Sequence, residues 1–375
     1  MRYIEKAVLQ FLKEKMCFLG GPRQAGKTTF SLALISPHAK EDHPHYFNWD
    51  SPKAQKKLKN EELPSSSCLI IVDEIHKYKN WRNLIKGLYD TNKSRLNFLV
   101  TGSSRLDYFR KGGDSLMGRY YYLRLHPFSL LEYNPNPKPA DITRLLNFSG
   151  FPEPLFKADP NHHRLWQTQR ISRVIREDLR DLEKVKDISL IETLAELLPS
   201  KVGSPLSIKS LREDLEVDHK TVERWISIFE NLYFCFRIAP FGNKKTRTVK
   251  KEKKLYLWDW SMVESPGARF ENLVASQLLK YCHYLEDTEG HKMELCYVRD
   301  VFKREIDFVV TKNKKAIFAV ECKKGEGAIS EAIKYFKERL PIPHFYQVHL
   351  GKKDYQSGNI RVLSFIDFCK ELKMP

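Results

Sequence analysis

The chain has 375 residues, of which 42% are hydrophobic and 30% charged, and its 64 Lys and Arg against 47 Asp and Glu give a formal net charge of +17. This composition excludes a globally disordered chain, and the length predicts two to four domains at about 100–200 residues each. The longest apolar runs, such as Cys68–Val72, are strand-sized and fall far short of the roughly 18 residues that a membrane span requires. We therefore predict a protein without a membrane partner.

Charged residues interrupt the stretch near the N-terminus where a secretory signal would need an apolar core: Glu5, Lys6, Lys13, Glu14 and Lys15. Seven cysteines, an odd number without a CxxC pair, argue against a disulfide framework and a zinc site. A cytoplasmic location is the resulting prediction. The positive charge favours a polyanionic partner. Residues 1–135 carry +9, and the segment Phe241–Lys254 alone carries +6, although a solvated lysine-rich loop would explain that segment equally well.

The first predicted elements are an amphipathic helix and a short apolar strand, Met16–Leu19, followed directly by a G-x-x-x-x-G-K-[ST] motif. Glycines let the backbone approach a phosphate, and the amides of the following helix favour negative charge. We predict that Lys27 contacts the β- and γ-phosphates and that Thr28 binds Mg²⁺. The predicted ATP-binding residues are Gly21, Pro22, Arg23, Gln24, Ala25, Gly26, Lys27, Thr28 and Thr29.

A second predicted strand, Cys68–Val72, ends in an acidic pair. Asp73 fits the second carboxylate that holds Mg²⁺, and Glu74 fits the base that activates the attacking water. A third strand, over residues 97–100, ends in hydroxyl side chains that include Ser103. Ligands in open α/β sheets lie beyond the carboxyl ends of the strands, so we expect Ser103 to face the γ-phosphate. An ordinary turn remains the alternative for each hydroxyl.

The motifs GPRQAGKTT, LIIVDEIHK, FLVTGSS, SLMGR and LRLHPFSLLEY resemble prokaryotic predicted ATPases of the AAA+ superfamily, in which the P-loop domain precedes a C-terminal domain of unknown function. The likeness continues in GFPEP (150–154), IREDLRDL (175–182) and FENLVASQLL (270–279). By this resemblance Arg119 is a candidate finger or sensor arginine, with an ordinary surface arginine as the alternative.

Apolar spacing predicts a helical lid after the prolines at 135, 137 and 139, and then a helix–turn–helix. Asp218 is positioned to cap the second helix, which would enter a DNA major groove. Two strands follow, and the basic segment lies between them where a wing would be. The predicted DNA contacts are Lys220, Arg224, Lys244, Lys245, Arg247, Lys250 and Lys251. A purely structural winged helix is the alternative.

The last predicted domain carries an Asp…Glu-x-Lys arrangement on adjacent strands, which resembles the PD-(D/E)XK nuclease superfamily. The period of two residues in a strand places Glu321 and Lys323 on one face, and Asp307 on the paired strand can converge on them. Two carboxylates suit a hard divalent ion, Mg²⁺ or Mn²⁺, with Lys323 in a catalytic role and Glu271 as a further ligand. Retained geometry without catalysis is the alternative.

The predicted fold class is α/β, in four domains: a three-layer P-loop AAA+ domain at 1–135, a helical lid at 136–190, a winged helix at 191–258 and a restriction-endonuclease-like α/β domain at 259–375. The predicted function is a Mg²⁺-dependent ATPase whose nucleotide state gates binding of double-stranded DNA, with DNA cleavage as an open further activity. The alternative is an ATP-dependent scaffold or signalling switch with a protein partner and an inactive nuclease-like domain. Either function is compatible with an oligomer.

Overall fold

The computed structural model describes residues 2–102, 116–175, 187–242 and 252–375. The chain divides into two compact units, residues 1–127 and 128–375, here called the N-terminal and C-terminal units. The division lies inside the domain that the sequence predicts to end at residue 135. No helix in the described part of the chain is both long and apolar enough to cross a bilayer.

The N-terminal unit is built on a five-stranded parallel sheet in the order β2-β3-β4-β1-β5. The strands β3 and β4 are nearly continuous buried apolar runs, as expected for parallel strands with both faces covered. Side chains of these strands pack against α4 in one core. The elements are α1 Glu5–Phe11, β1 Met16–Gly20, α2 Lys27–Ile35, β2 Tyr46–Asn48, α3 Pro52–Lys59, β3 Cys68–Asp73, α4 Trp81–Asn92, β4 Leu96–Thr101 and β5 Tyr120–Arg124.

The C-terminal unit is built on one mixed sheet of eight strands in the order β12-β13-β11-β10-β9-β8-β6-β7. Its strands are β6 Cys235–Pro240, β7 Lys254–Leu257, β8 Met293–Arg299, β9 Glu305–Lys312, β10 Lys315–Lys323, β11 Phe345–His349, β12 Tyr355–Ser357 and β13 Ile360–Ser364. Its described helices are α5 Leu130–Tyr133, α6 Pro139–Phe148, α7 Pro152–Lys157, α8 Pro160–Arg173, α9 Ile188–Leu197, α10 Ile208–Leu215, α11 His219–Asn231, α12 Pro266–Glu289, α13 Glu331–Lys337 and α14 Phe365–Glu371.

The α/β fold class is confirmed, with a parallel sheet first and a second, mixed sheet towards the C-terminus. The predicted lid, winged helix and nuclease-like segment share one hydrophobic core that extends from Leu130 to Met374. The β6–β7 hairpin predicted as the wing also belongs to the eight-stranded sheet, because β6 pairs in parallel with β8. A finer division of residues 128–375 into three domains therefore stays a prediction.

The helix–turn–helix segment follows the predicted local pattern. Ser207 caps α10 by accepting from the Ser210 amide at 3.2 Å, and Asp218 caps α11 by accepting from the Lys220 and Thr221 amides at 2.7 and 3.1 Å. The apolar face of α11 is buried through residues such as Phe229. Both helices begin where a side-chain oxygen satisfies amides that lack a partner within the helix.

Candidate functional site

The loop between β1 and α2 has the backbone that the phosphate-binding motif predicts. Gly21 adopts φ +139°, and a Cβ at this position would lie 2.4 Å from the Leu125 carbonyl oxygen. Gly26 adopts φ +89° immediately before α2 begins at Lys27. Two glycines are therefore needed here, the first for close approach and the second for a left-handed conformation at the helix start. A glycine-containing loop that leads directly into a helix N-terminus is the local arrangement that an anion-binding cradle requires.

Lys27 spans this loop. Its ammonium donates to the carbonyl oxygens of Gly21 and Pro22 at 2.9 and 2.8 Å, and the side chain is buried. A phosphate oxygen is a stronger, charged acceptor than a carbonyl, so the same ammonium is well placed to bind one. Among the other predicted loop residues, Arg23 and Gln24 lie in the turn, Ala25 is buried, and Thr29 lies in the first turn of α2.

Asp73, at the end of β3, is the centre of a buried hydrogen-bond network. Its Oδ2 accepts from the Thr28 hydroxyl at 2.8 Å and from the Tyr46 hydroxyl at 2.7 Å, and its Oδ1 accepts from the Thr101 hydroxyl. Burial raises the pKa of Tyr46, and the Asp73 charge adds to the effect, so Tyr46 stays a neutral donor. Three neutral hydroxyl donors hold the carboxylate without neutralising its charge.

The same residues are suitable ligands for Mg²⁺. A hydroxyl on α2 and a carboxylate on β3 lie within 2.8 Å of each other at the carboxyl edge of the sheet. Oxygen ligands of this kind, completed by water and phosphate oxygens, are what Mg²⁺ takes in nucleotide sites. Thr28 and Asp73 would hold the ion.

Glu74 follows Asp73 in a left-handed conformation with φ +56°. Its amide donates to the Thr101 carbonyl at 3.1 Å and to Asp73 Oδ1 at 3.0 Å. Its Oε2 lies 3.5 Å from His76 Nε2 and 3.8 Å from Lys77 Nζ. Burial and then the Asp73 charge raise the pKa of Glu74 above its usual range, against the lowering effect of nearby cations. A raised carboxyl pKa suits a general base, because it strengthens the base that accepts a proton from water.

Arg119 does not converge on this network. Its Nε donates to Asp90 Oδ1 at 2.9 Å, and its carbonyl accepts from the Met16 amide. Tyr120, the next residue, pairs with Met16 at the start of β1, whereas the P-loop follows the end of β1. Arg119 therefore lies at the opposite end of that strand, and as a finger it would have to act on a nucleotide held by another chain. Ser103 lies outside the described residues.

In the C-terminal unit, β9 and β10 bring the predicted acidic residues together. Asp307 Oδ2 accepts from the Cys322 amide at 2.8 Å, and the Lys323 ammonium donates to Glu321 Oε1 at 2.7 Å. Burial raises the pKa of Asp307. Burial, followed by the Asp307 charge, raises the pKa of Glu321 to about 7 and that of Glu271 to about 8. The cluster thus gathers more negative charge than Lys323 alone offsets.

A lysine that was not predicted for this site supplies the missing positive charge. The Lys254 ammonium lies 2.5 Å from Glu305 Oε1, 3.2 Å from Glu271 Oε1 and 3.7 Å from Asp307 Oδ1. Burial lowers the pKa of Lys254, but the charges of these carboxylates outweigh burial and the net pKa is raised. The Tyr256 hydroxyl donates to the same Glu271 oxygen at 2.7 Å.

The predicted ligands do not fit a divalent ion in this arrangement. Among the residues that the structure describes, no group of three or more His, Cys, Asp or Glu side chains is arranged to hold a metal. The physical reason is that the buried Lys254 ammonium lies between Glu271, Glu305 and Asp307. A second cation at this point would be repelled by the first.

The predicted DNA contacts divide into two groups. Lys220 and Arg224 lie exposed in the first half of α11. The five predicted wing residues lie outside the described part of the chain: Lys244, Lys245, Arg247, Lys250 and Lys251.

Sequence reasoning missed four residues of the two sites: Tyr46, Lys254, Tyr256 and Glu305. For Lys254 and Tyr256 a signal existed, because two residues of spacing in a strand put both side chains on one face. The second of the two predicted strands begins at Lys254, but Lys254 also ends the basic segment, and its charge was therefore interpreted as part of the wing. Tyr46 had no comparable signal, since only the pairing of β2 with β3 brings it to Asp73.

Residues 13–134 match the family model of an AAA domain, residues 139–266 match a domain of unknown function (DUF8612), and residues 266–368 match another (DUF4143). An uncharacterized protein of Methanocaldococcus jannaschii is 24% identical over 88% of this chain and 80% of its own length. A second uncharacterized protein from that organism is 24% identical over 72% of this chain and 69% of its own length. An uncharacterized protein of Mycobacterium tuberculosis is 25% identical over 65% of this chain and 54% of its own length.

Two solved structures are also similar to this chain. A variant of Thermotoga maritima RuvB has a TM-score of 0.33 at 15% identity, over 67% of this chain and 90% of its own. Aeropyrum pernix ORC1 in complex with DNA has a TM-score of 0.33 at 15% identity, over 73% of this chain and 93% of its own. These scores are too low to establish a shared overall fold. Together, the family models and the P-loop geometry show that the N-terminal segment is similar to an AAA domain and that two segments similar to domains of unknown function follow it.

Proposed function

We propose that the N-terminal unit binds ATP with Mg²⁺ and hydrolyses it, and that its nucleotide state gates binding of double-stranded DNA by the C-terminal unit. The observation that carries the ATPase is the contact between Thr28 and Asp73 at 2.8 Å, with Glu74 next in the chain at the same edge of the sheet. The AAA-domain match over residues 13–134 supports it.

In this proposal Lys27 exchanges its carbonyl partners for phosphate oxygens and stabilises the charge that moves onto them. Mg²⁺, when held by Thr28 and Asp73, neutralises developing negative charge. Glu74 orients the attacking water and accepts its proton, which its raised pKa favours. Tyr46 and Thr101 keep the Asp73 carboxylate in one orientation.

ATP turnover tests this assignment. We expect Glu74→Gln to lower kcat by about 10²–10⁴-fold while leaving ATP binding intact, because the amide cannot take a proton from water. Lys27→Ala should lose ATP binding. Glu62→Gln changes an exposed carboxylate of the same unit and serves as the control. Undiminished turnover in Glu74→Gln would show that Glu74 is not the general base.

DNA binding is supported by charge and placement. The chain carries +17, and in the sequence its basic segment connects β6 to β7, two paired strands that follow a capped helix with exposed Lys220 and Arg224. Positive side chains release counterions from DNA, so binding must weaken steeply with salt. The competing proposal, a scaffold that binds a protein partner, requires no such dependence.

A gel-shift series in salt separates these proposals. Lys220→Gln and Arg224→Gln should each remove one interaction with a DNA phosphate and so lower the salt slope by about one unit. Lys53→Gln and Lys56→Gln make the same charge change on exposed positions of the N-terminal unit. For gating, Glu74→Gln with ATP and wild-type protein with ADP should differ in DNA affinity by about fivefold or more. Equal affinities would contradict gating, and a flat salt response would favour the protein partner.

DNA cleavage by the C-terminal unit was the further activity left open by the sequence. The geometry gives it no support, because a phosphodiesterase of this type needs a metal to bind water and phosphate. The position among the carboxylates holds the Lys254 ammonium instead.

A further inference from the structure

The Lys254 side chain lies inside the carboxylate cluster and is completely buried. Its ammonium is within 3.7 Å of oxygens from Glu271, Glu305 and Asp307, which come from one helix and one strand. An ammonium has three donors, so one lysine can satisfy three carboxylates in different directions. Burying a charged ammonium without a partner costs so much free energy that the lysine would lose its proton instead. The three carboxylates offset this cost and keep the Lys254 ammonium charged.

The backbone around Lys254 is fixed from both sides. Lys254 pairs with Ile238 of β6 and forms a bridge with Pro205, and the next residue accepts from the Gly203 amide at 3.2 Å. The Tyr256 hydroxyl, on the same face of the strand, donates to the Glu271 oxygen that Lys254 contacts. The ammonium is therefore brought to a defined point in the cluster rather than sampling the surface.

A divalent ion would compete for that point. Mg²⁺ and Mn²⁺ bind hard oxygen ligands of the kind that surround Lys254, at about 2.0–2.1 Å for Mg²⁺. We propose that Lys254 is the resident cation of this cluster: its ammonium takes the place of a divalent metal ion, and the cluster binds Mg²⁺ or Mn²⁺ only when the ammonium is removed.

This proposal goes beyond ATP hydrolysis and does not depend on it. It assigns the C-terminal unit a carboxylate site that is complete without a metal ion. It also explains why four acidic side chains are gathered in one place: Lys254 and Lys323 hold them, the latter through Glu321 at 2.7 Å.

A matched comparison exists within the same unit. Lys280 is also buried, and its ammonium contacts the Glu132 carboxylate at 2.5 Å and the Ser129 hydroxyl at 3.1 Å. Lys280→Ala therefore removes a buried ammonium without opening the carboxylate cluster. Removing Lys254, in contrast, leaves three carboxylates around one space.

The experiment measures Mn²⁺ binding by electron paramagnetic resonance in the 375-residue chain without nucleotide, in an Asp73→Asn background that weakens the P-loop site. We expect no specific Mn²⁺ binding while Lys254 is present. Lys254→Ala should gain about one Mn²⁺ per chain, and Asp307→Asn in addition should abolish it. Lys280→Ala should gain none. Mn²⁺ binding in the Lys254-containing background that Asp307→Asn removes would overturn the proposal.

A folded Lys254→Ala protein that binds no Mn²⁺ would overturn it as well. If that variant does not fold alone, Lys254→Met keeps the apolar stem, and both are refolded with and without Mn²⁺. Folding that requires Mn²⁺ supports the proposal. Failure of both variants at saturating Mn²⁺ would show that Lys254 has a role a metal ion cannot replace, and would contradict it. Unchanged ATP turnover in the lysine variants with Asp73 intact separates this result from the ATPase assignment.

Discussion

Both units gather acidic side chains at strand ends, Asp73 at the end of β3 and Glu305 and Asp307 near the start of β9 with Glu271 added from α12, yet they hold these carboxylates with different chemistry. In the N-terminal unit Asp73 accepts hydrogen bonds from Thr28, Tyr46 and Thr101, all neutral. In the C-terminal unit Glu271, Glu305 and Asp307 surround the Lys254 ammonium. Neutral donors orient a carboxylate and leave its negative charge available to a metal ion, whereas an ammonium neutralises that charge. The charge of the holding group therefore separates a site that can take a metal from one that cannot.

The largest expected effect concerns the stability of the C-terminal unit. Lys254→Ala should lower its free energy of unfolding by up to about 3–5 kcal/mol, because three partly buried carboxylates lose the buried cation that they share. Lys292→Ala removes an exposed pair with Glu294 and should cost less than about 1 kcal/mol. Hydrogen exchange of the β9 and β10 amides measures the loss of stability in both variants. Equal protection in the two variants would mean that Lys254 is not what holds the cluster.

A smaller effect is expected from removing the Tyr46 hydroxyl, one of the donors that hold Asp73. Tyr46→Phe removes one hydrogen bond to a buried carboxylate, worth about 1.5–3 kcal/mol, while keeping the ring. Turnover should fall by roughly tenfold at limiting Mg²⁺ and recover as Mg²⁺ rises, because the ion can orient the loosened carboxylate. Tyr89→Phe, at another largely buried tyrosine of the same unit, is the control. A fall in turnover that Mg²⁺ does not recover would indicate a structural rather than a positioning role.

The effect that is smallest for a step of one pH unit is a pH dependence of stability in the C-terminal unit. Burial, then the Asp307 charge, raises the pKa of Glu271 from its usual 4.5 to about 8. The folded chain thus keeps a proton that the unfolded chain releases, so stability should fall as pH rises from about 4.5 to about 8. Glu271 contributes at most about 1.4 kcal/mol per pH unit to this slope. Glu271→Gln should remove that contribution in urea unfolding curves and leave the contribution of Glu321, whose pKa is also raised, whereas Glu294→Gln at an exposed strand position should leave the slope unchanged.

The local elements could be predicted because their signals are contiguous in the chain. The P-loop spacing, the buried run ending at Asp73 and the Asp218 cap each occupy a short stretch, and the structure has a strand, a turn or a helix start at each. The placement of Asp307 and Glu321 on neighbouring, paired strands was also predicted from the strand pattern of their segments.

What could not be predicted depends on contacts between distant segments. Tyr46 reaches Asp73 only because β2 lies beside β3. Lys254 reaches Asp307 because the predicted wing hairpin joins the eight-stranded sheet instead of standing alone. The sequence shows Lys254 as one of seven basic residues in a surface-like run, and its burial follows from sheet topology that spacing does not encode.

The contrast between the two units is tested most directly by counting Mn²⁺ bound to the wild-type chain by electron paramagnetic resonance, with and without ATP. We predict about one Mn²⁺ per chain that requires ATP, disappears in Asp73→Asn and is unchanged in Asp307→Asn. A nucleotide-independent Mn²⁺ that Asp307→Asn removes and Asp73→Asn leaves in place would contradict the account.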